Sequence, residues 1–407
     1  MAHTWEALYD GGDYERLIAE VRNRVAEDPA TFADPFVKQW LGRRWRDLFL
    51  QEAIRDADTV ERSMKDRSHA LSMRRSSSKD PREAVAQRFL KNLTEDDWHI
   101  EFPEPQYDSI TNTTLVLCPG LLTGLLHPGA HAFAEEAPIL EQERGWKTLR
   151  ADLHPMRGGR ANEADLIAAL DRGEGYDAAV QPILEPEPPG KVFLIGYSKG
   201  GPDILQFLVD HPEYADRIAG VYTWAGAVGG SYTANDIYEQ VKDMDVQTMT
   251  DRLHQVLSLT NPMVSQVTGL RRVDEYDVKG AFLDLTTKER ERFNHDNADL
   301  LNGLGIPFFN VTGSTTPMEV PSFQFMDTVK MTKFDANNDM QLTQKQAKMT
   351  IPMATHLAML HGHHWDIGYA PFPAHMRAMS PNLEHTFPKK AALVANWELL
   401  AELGLID

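Results

Sequence analysis

Apolar positions change their rhythm near residue 113. In the first 70 residues they recur every three or four positions, as at Leu17, Ile18, Val21 and Val25 and again at Phe36, Val37, Trp40 and Leu41. That spacing predicts amphipathic helices. Residues 71–84, LSMRRSSSKDPREA, are rich in Ser and Arg, include Pro81, and read as an exposed connection rather than an anion-binding patch. One more helix is expected over 83–100.

After residue 113 short continuous apolar runs alternate with longer amphipathic ones: TTLVLCPG, HAFAEEAPILEQERG, WKTLRADL, ANEADLIAALDRG, VFLIG, DILQFLVDHP and IAGVYTWAGA. Strands alternating with helices predict a mostly parallel central sheet flanked by helices on both faces. Residues 231–300 break the alternation with charged helical sequence such as NDIYEQVKDMDVQTMTDRLHQVLSL, before β-type runs return at IPFFNVTG (306–313) and THLAMLHG. The expected organisation is a helical N-terminal extension over 1–105, an α/β body built from 106–230 and 301–407, and a helical cap insertion over 231–300.

Composition narrows the class. With 42% apolar and 25% charged residues in 407, the chain has an ordinary globular make-up. A net charge of −19 disfavours binding to nucleic acid or to an anionic membrane. The single cysteine, Cys118, excludes an intramolecular disulfide and a Cys-rich zinc site, and its apolar run reads as a buried structural thiol. Neither a leader pattern in MAHTWEALYDGGDYERL nor an apolar run of membrane-spanning length is visible, so a soluble, cytoplasmic protein without stable membrane insertion is expected. No cofactor or metal is expected.

The sharpest motif is Gly196-Tyr-Ser198-Lys-Gly200, preceded by an apolar strand and followed by an amphipathic helix. In that context G-x-S-x-G is a nucleophile elbow: a strained turn exposes the serine hydroxyl at a helix N-terminus, and glycines let strand and helix approach. The backbone N–H of Lys199 would face a developing oxyanion. The Lys199 side chain is read separately, as a solvated cation or a partner of Asp203 four residues on. A second N–H would come from the loop Gly120-Leu-Leu-Thr-Gly124, from Leu121 or Leu122.

With a nucleophile elbow the base and acid follow in the order Ser, acid, His. That order removes the histidines before Ser198 and selects the segment L-H-G-H-H-W-D, with His364 as first choice for the base, His363 as the alternative and His361 as strand-end structure. Asp327, Asp335 and Asp339 lie between the strand 306–313 and that segment. Asp339 is the preferred acid and Asp335 its rival; either is also a natural turn or cap residue. A calcium loop in DANNDMQLTQKQ is the weaker reading, because it lacks the sixth-position glycine and has Gln346 where a bidentate Glu belongs.

GYSKG, the upstream CPGLLTG and the downstream NNDMQL and HHW together resemble the α/β-hydrolase superfamily, nearest to its bacterial lipase- and esterase-like members. The resemblance covers roughly residues 113–400 and leaves the first hundred unaccounted for. Relatives of that kind often carry N-D-G, whose aspartate is the triad acid; here the motif maps onto Asp339, with Met340 in place of the glycine. It implies a Ser198–Asp339–His364 triad, an α/β-hydrolase fold and hydrolysis of a small carboxylic ester with an apolar acyl or alcohol part. Acyl transfer, amide cleavage and a noncatalytic binding or scaffold role on the same fold are the alternatives.

Overall fold

The computed structural model describes residues 2–65, 80–107, 109–121, 123, 131–244, 248, 272, 275–321, 324–371 and 386–407. Its strands are β1 (Leu90–Lys91), β2 (Thr113–Cys118), β3 (Lys147–Arg150), β4 (Lys191–Tyr197), β5 (Ile218–Trp224), β6 (Phe308–Ser314) and β7 (Ala354–His361). They form one sheet in the order β1-β7-β6-β5-β4-β2-β3. Every neighbouring pair is parallel except β1 with β7. The sheet is thus mostly parallel, as the alternation of strands and helices predicts.

Strand pleating explains why the runs look continuously apolar. Phe193, Ile195 and Tyr197 of β4 join one core cluster, while Val192 and Leu194 join another on the opposite face. Leu115 and Leu117 of β2 divide from Val116 and Cys118 in the same way. Both faces are covered, so both need apolar side chains. Cys118 is buried, and burial pushes its thiol well above the ordinary range, which suits a structural residue.

The N-terminal helices share the first of these cores. Helix Pro35–Ala53 starts on Asp34, whose carboxylate accepts the N–H groups of Phe36 and Val37, and it packs against β7 and the C-terminal helix Lys389–Glu402. Buried in that contact, Arg44 donates through Nε to Glu402 at 2.8 Å and through a terminal nitrogen to Asp47 at 2.6 Å. Arg82 holds the other Asp47 oxygen at 2.6 Å. Buried charges that are paired and hydrogen-bonded in this way fix the helices relative to one another.

The helix expected over 83–100 is broken. Helix Pro81–Phe89 gives way to β1, whose Leu90 pairs with Leu360 of β7, and a short helix follows at Asp96–His99. Leu90 is buried in the core and its backbone joins the edge of β7, which outweighs the helical propensity of the run. Asn92, at φ 55°, turns the chain away. Between β5 and β6 lie helices Tyr232–Val241, Val278–Asp284 and Thr287–Gly303, a helical insertion where the charged pattern places it. Leu253, Val256, Leu257, Met263 and Val264, apolar positions within the expected cap, lie outside the described residues.

Candidate active site

Strand β4 runs into helix Gly200–Asp210 through Ser198, which stands at φ 52°. A left-handed backbone is costly for any residue with a Cβ. Here the turn is held on several sides: Ser198 N–H donates to Trp224 O at 3.1 Å, and Ser198 O accepts from Gly201 and Ala227. Both motif glycines are required by space. A Cβ on Gly196 would lie 2.5 Å from Gly201 N, and one on Gly200 would lie 2.2 Å from Cys118 O.

The Ser198 Oγ lies 3.0 Å from His364 Nε2, and His364 Nδ1 lies 2.8 Å from Asp339 Oδ2. The remaining Asp339 oxygen accepts from the N–H groups of Gln341 (2.9 Å) and Leu342 (2.7 Å), so the carboxylate is fully engaged. Asp339 O also accepts His364 N–H at 2.8 Å, which joins the two loops through backbone as well. At the end of β6, a Cβ on Gly313 would lie 2.8 Å from the Asp339 Cβ. Met340 occupies the left-handed region, φ 85°, where N-D-G would place a glycine, and its side chain is completely buried.

No family model matches the chain, and no curated protein matches it. Among solved structures, the metagenomic carboxyl esterase MGS0156 superposes with a TM-score of 0.59 at 20% identity, over 88% of this chain and 90% of that one. The chain has the α/β-hydrolase fold. Weaker likenesses are to the mature lipase BlEst2 of Bacillus licheniformis (TM-score 0.41, 21% identity, 65% of this chain and 89% of that one) and to EstA of Clostridium botulinum (TM-score 0.43, 14%, 79% and 97%).

Within this α/β-hydrolase fold the alternative residues lie elsewhere. His363 Nδ1 accepts from the N–H groups of Trp365 and Asp366 at 3.3 Å, and its Nε2 is 3.2 Å from Asp366. His361 Nδ1 donates to Arg88 O at 2.7 Å while Nε2 meets Glu319 at 2.9 Å. Asp335 closes a turn by accepting the N–H groups of Asn337 (2.8 Å) and Gln344 (3.0 Å). The two carboxylates of the calcium-loop reading, Asp335 and Asp339, are therefore spent on N–H donors and on His364.

Lys199 turns its ammonium inward, where Asp203 holds it at 2.6 and 2.8 Å, and both side chains are buried. Of the two readings the ion pair is the one found. Asn162 Nδ2 steadies Asp203 at 2.9 Å, and Asn162 Oδ1 accepts the N–H of His154 at 3.1 Å. The loop carrying Leu121 reaches the serine: a Cβ on Gly120 would lie 3.0 Å from the Ser198 Cβ. Leu122 lies outside the described residues. Sequence reasoning passed over Tyr197, whose hydroxyl donates to the His364 carbonyl; its place inside the elbow motif was the available signal.

Proposed function

We propose that the protein is a serine hydrolase of carboxylic esters, with Ser198 as nucleophile, His364 as base and Asp339 as the acid that orients it. The observation that carries this reading is the unbroken chain from Asp339 through His364 to Ser198, with contacts of 2.8 and 3.0 Å, ending on a strained elbow. Ser198 Oγ attacks the ester carbonyl carbon as its proton passes to His364 Nε2, and the carbonyl electron pair moves onto oxygen. Asp339, accepting from Nδ1, keeps the imidazole in the tautomer that leaves Nε2 free to accept. Backbone N–H groups of Lys199 and Leu121 receive the oxyanion, and neither donates to an acceptor among the described residues. Collapse expels the alcohol, protonated by His364, and water then repeats the steps on the acyl-enzyme.

An apolar substrate part fits the surroundings. Leu121 packs against a cluster of Met156, Ala227, Phe282 and Leu342, which links the Leu121 loop, the segments after β3 and β5, the Asp339 loop and the cap. The division into a 106–230 plus 301–407 body, a 231–300 cap and a 1–105 extension belongs to this reading. Labelling with a fluorophosphonate and turnover of p-nitrophenyl esters of graded acyl length test it. Wild type should label and turn over, and Ser198→Ala should lose both; ester turnover retained by Ser198→Ala would overturn the assignment.

A further inference from the structure

We infer that Tyr197, the residue before the nucleophile, is a positioning residue that holds the catalytic base through its backbone. The inference rests on the triad reading above and adds a residue to it. The His364 peptide is gripped at both ends: its N–H donates to Asp339 O at 2.8 Å, and its carbonyl accepts from the Tyr197 hydroxyl. With both ends held, the imidazole keeps little freedom beyond its own side-chain torsions. Its two nitrogens then fall between Asp339 and Ser198.

The phenol is itself wedged. A Cβ on Gly368 would lie 2.4 Å from the Tyr197 Cε2, and one on Gly120 would lie 3.1 Å from Cδ1. Tyr369 meets the same ring edge-on at 5.0 Å, and its own hydroxyl bonds Thr123 Oγ1 at 3.0 Å. One ring therefore touches the elbow, the base loop and the oxyanion loop. Burial, with Tyr369, Asp339 and Asp366 close by, raises the Tyr197 phenol well above its ordinary range and keeps it a neutral donor.

The ring and the hydroxyl have separable roles. The Tyr197 and His364 rings lie 5.4 Å apart at a 44° tilt. Tyr197→Phe keeps that ring contact and removes only the donor to the carbonyl. The base then loses one of its two backbone anchors, and misplacement of a catalytic group by about 1 Å costs on the order of a hundredfold.

The test is fluorophosphonate labelling followed in time, together with kcat and KM on a p-nitrophenyl ester, for wild type, Tyr197→Phe, Gly368→Ala and Ser198→Ala. Tyr197→Phe should label to full stoichiometry, with a labelling rate constant and kcat both lower by roughly 10- to 100-fold and KM little changed. Gly368→Ala, which presses on the same ring, should give the same signature in the fraction that labels. A purely structural role would lower the labelled fraction and leave the rate constant of the remainder at the wild-type value. That result, or wild-type kinetics in Tyr197→Phe, would overturn the inference while a silent Ser198→Ala leaves the triad reading standing. Turnover in Ser198→Ala would remove both.

Discussion

The loops around Ser198 and the helices of the first hundred residues hold their shapes by opposite means. Near the site, four non-glycine residues stand at positive φ: Phe133 (57°), Ser198 (52°), Ala225 (45°) and Met340 (85°). Each such residue costs about 1–3 kcal/mol and persists only where its surroundings over-determine it. Burial provides that here, since Phe133, Ala225 and Met340 are completely inaccessible to solvent. The N-terminal helices instead begin on relaxed caps, Asp34 before Pro35 and Asp80 before Pro81, and are joined by saturated ion pairs. Among the described residues three more non-glycine positions stand at positive φ elsewhere in the chain, Asn92, Val180 and Arg272, so strain gathers around Ser198 without being confined to it, while helices Pro35–Ala53 and Pro81–Phe89 start from low-energy geometry.

The largest effect that sharpens this contrast should come from the two rival aspartates. Asp339→Asn is expected to lower kcat by roughly 10⁴-fold, because the amide no longer enforces the working tautomer of His364. Asp335→Asn should keep kcat and lose about 1 kcal/mol of stability with its turn contacts. Steady-state kinetics beside urea unfolding distinguish them, and a greater kcat loss at Asp335 would move the acid.

Next in size is the ion-pair side of the molecule. Arg44→Ala leaves Asp47 and Glu402 buried with a partner missing and should cost about 3–5 kcal/mol, read from the urea midpoint. Activity per folded site, counted by fluorophosphonate titration, should stay at the wild-type value. A kcat loss at unchanged stability would show that the two regions are not separable as described.

The smallest effect probes the strain itself. Both Met340→Ala and Met340→Gly empty a buried site, yet only glycine relaxes the left-handed backbone. Glycine should therefore be the better tolerated of the two by about 1 kcal/mol in unfolding free energy, the reverse of the usual order. If alanine is the more stable, φ 85° carries no strain at this position.

Much of this layout was legible in the chain. The α/β alternation and Gly196-Tyr-Ser198-Lys-Gly200 read directly because strand period, helix period and the elbow are local properties. The segment HGHHW placed three histidines together, and chain order with an acid before the base narrowed the choice. Distinguishing His364 from His363 needs the turn in which His363 caps its own loop, a geometry two neighbours cannot reveal. At the Asp339 loop the glycine of N-D-G is replaced by Met340, a buried residue that holds the left-handed conformation glycine usually marks. Beyond local reach were the edge strand at Leu90, whose partner Leu360 lies at the other end of the chain, and the buried Arg44 network. Both depend on long-range packing overriding propensity.

The Arg44–Glu402 pair has a further consequence, for the order in which the molecule is made. Its members are 358 positions apart, so helix Pro35–Ala53 leaves the ribosome long before the helix that receives it. Trp40, Trp45 and Phe49 of the early helix belong to the same core cluster as Trp397, whose ring also meets Phe193 on β4 at 5.6 Å. Contacts of such separation close late and fold slowly. The newborn chain must carry an aromatic helix face without its partner until helix Lys389–Glu402 has been made, and that helix then completes the layer behind β4.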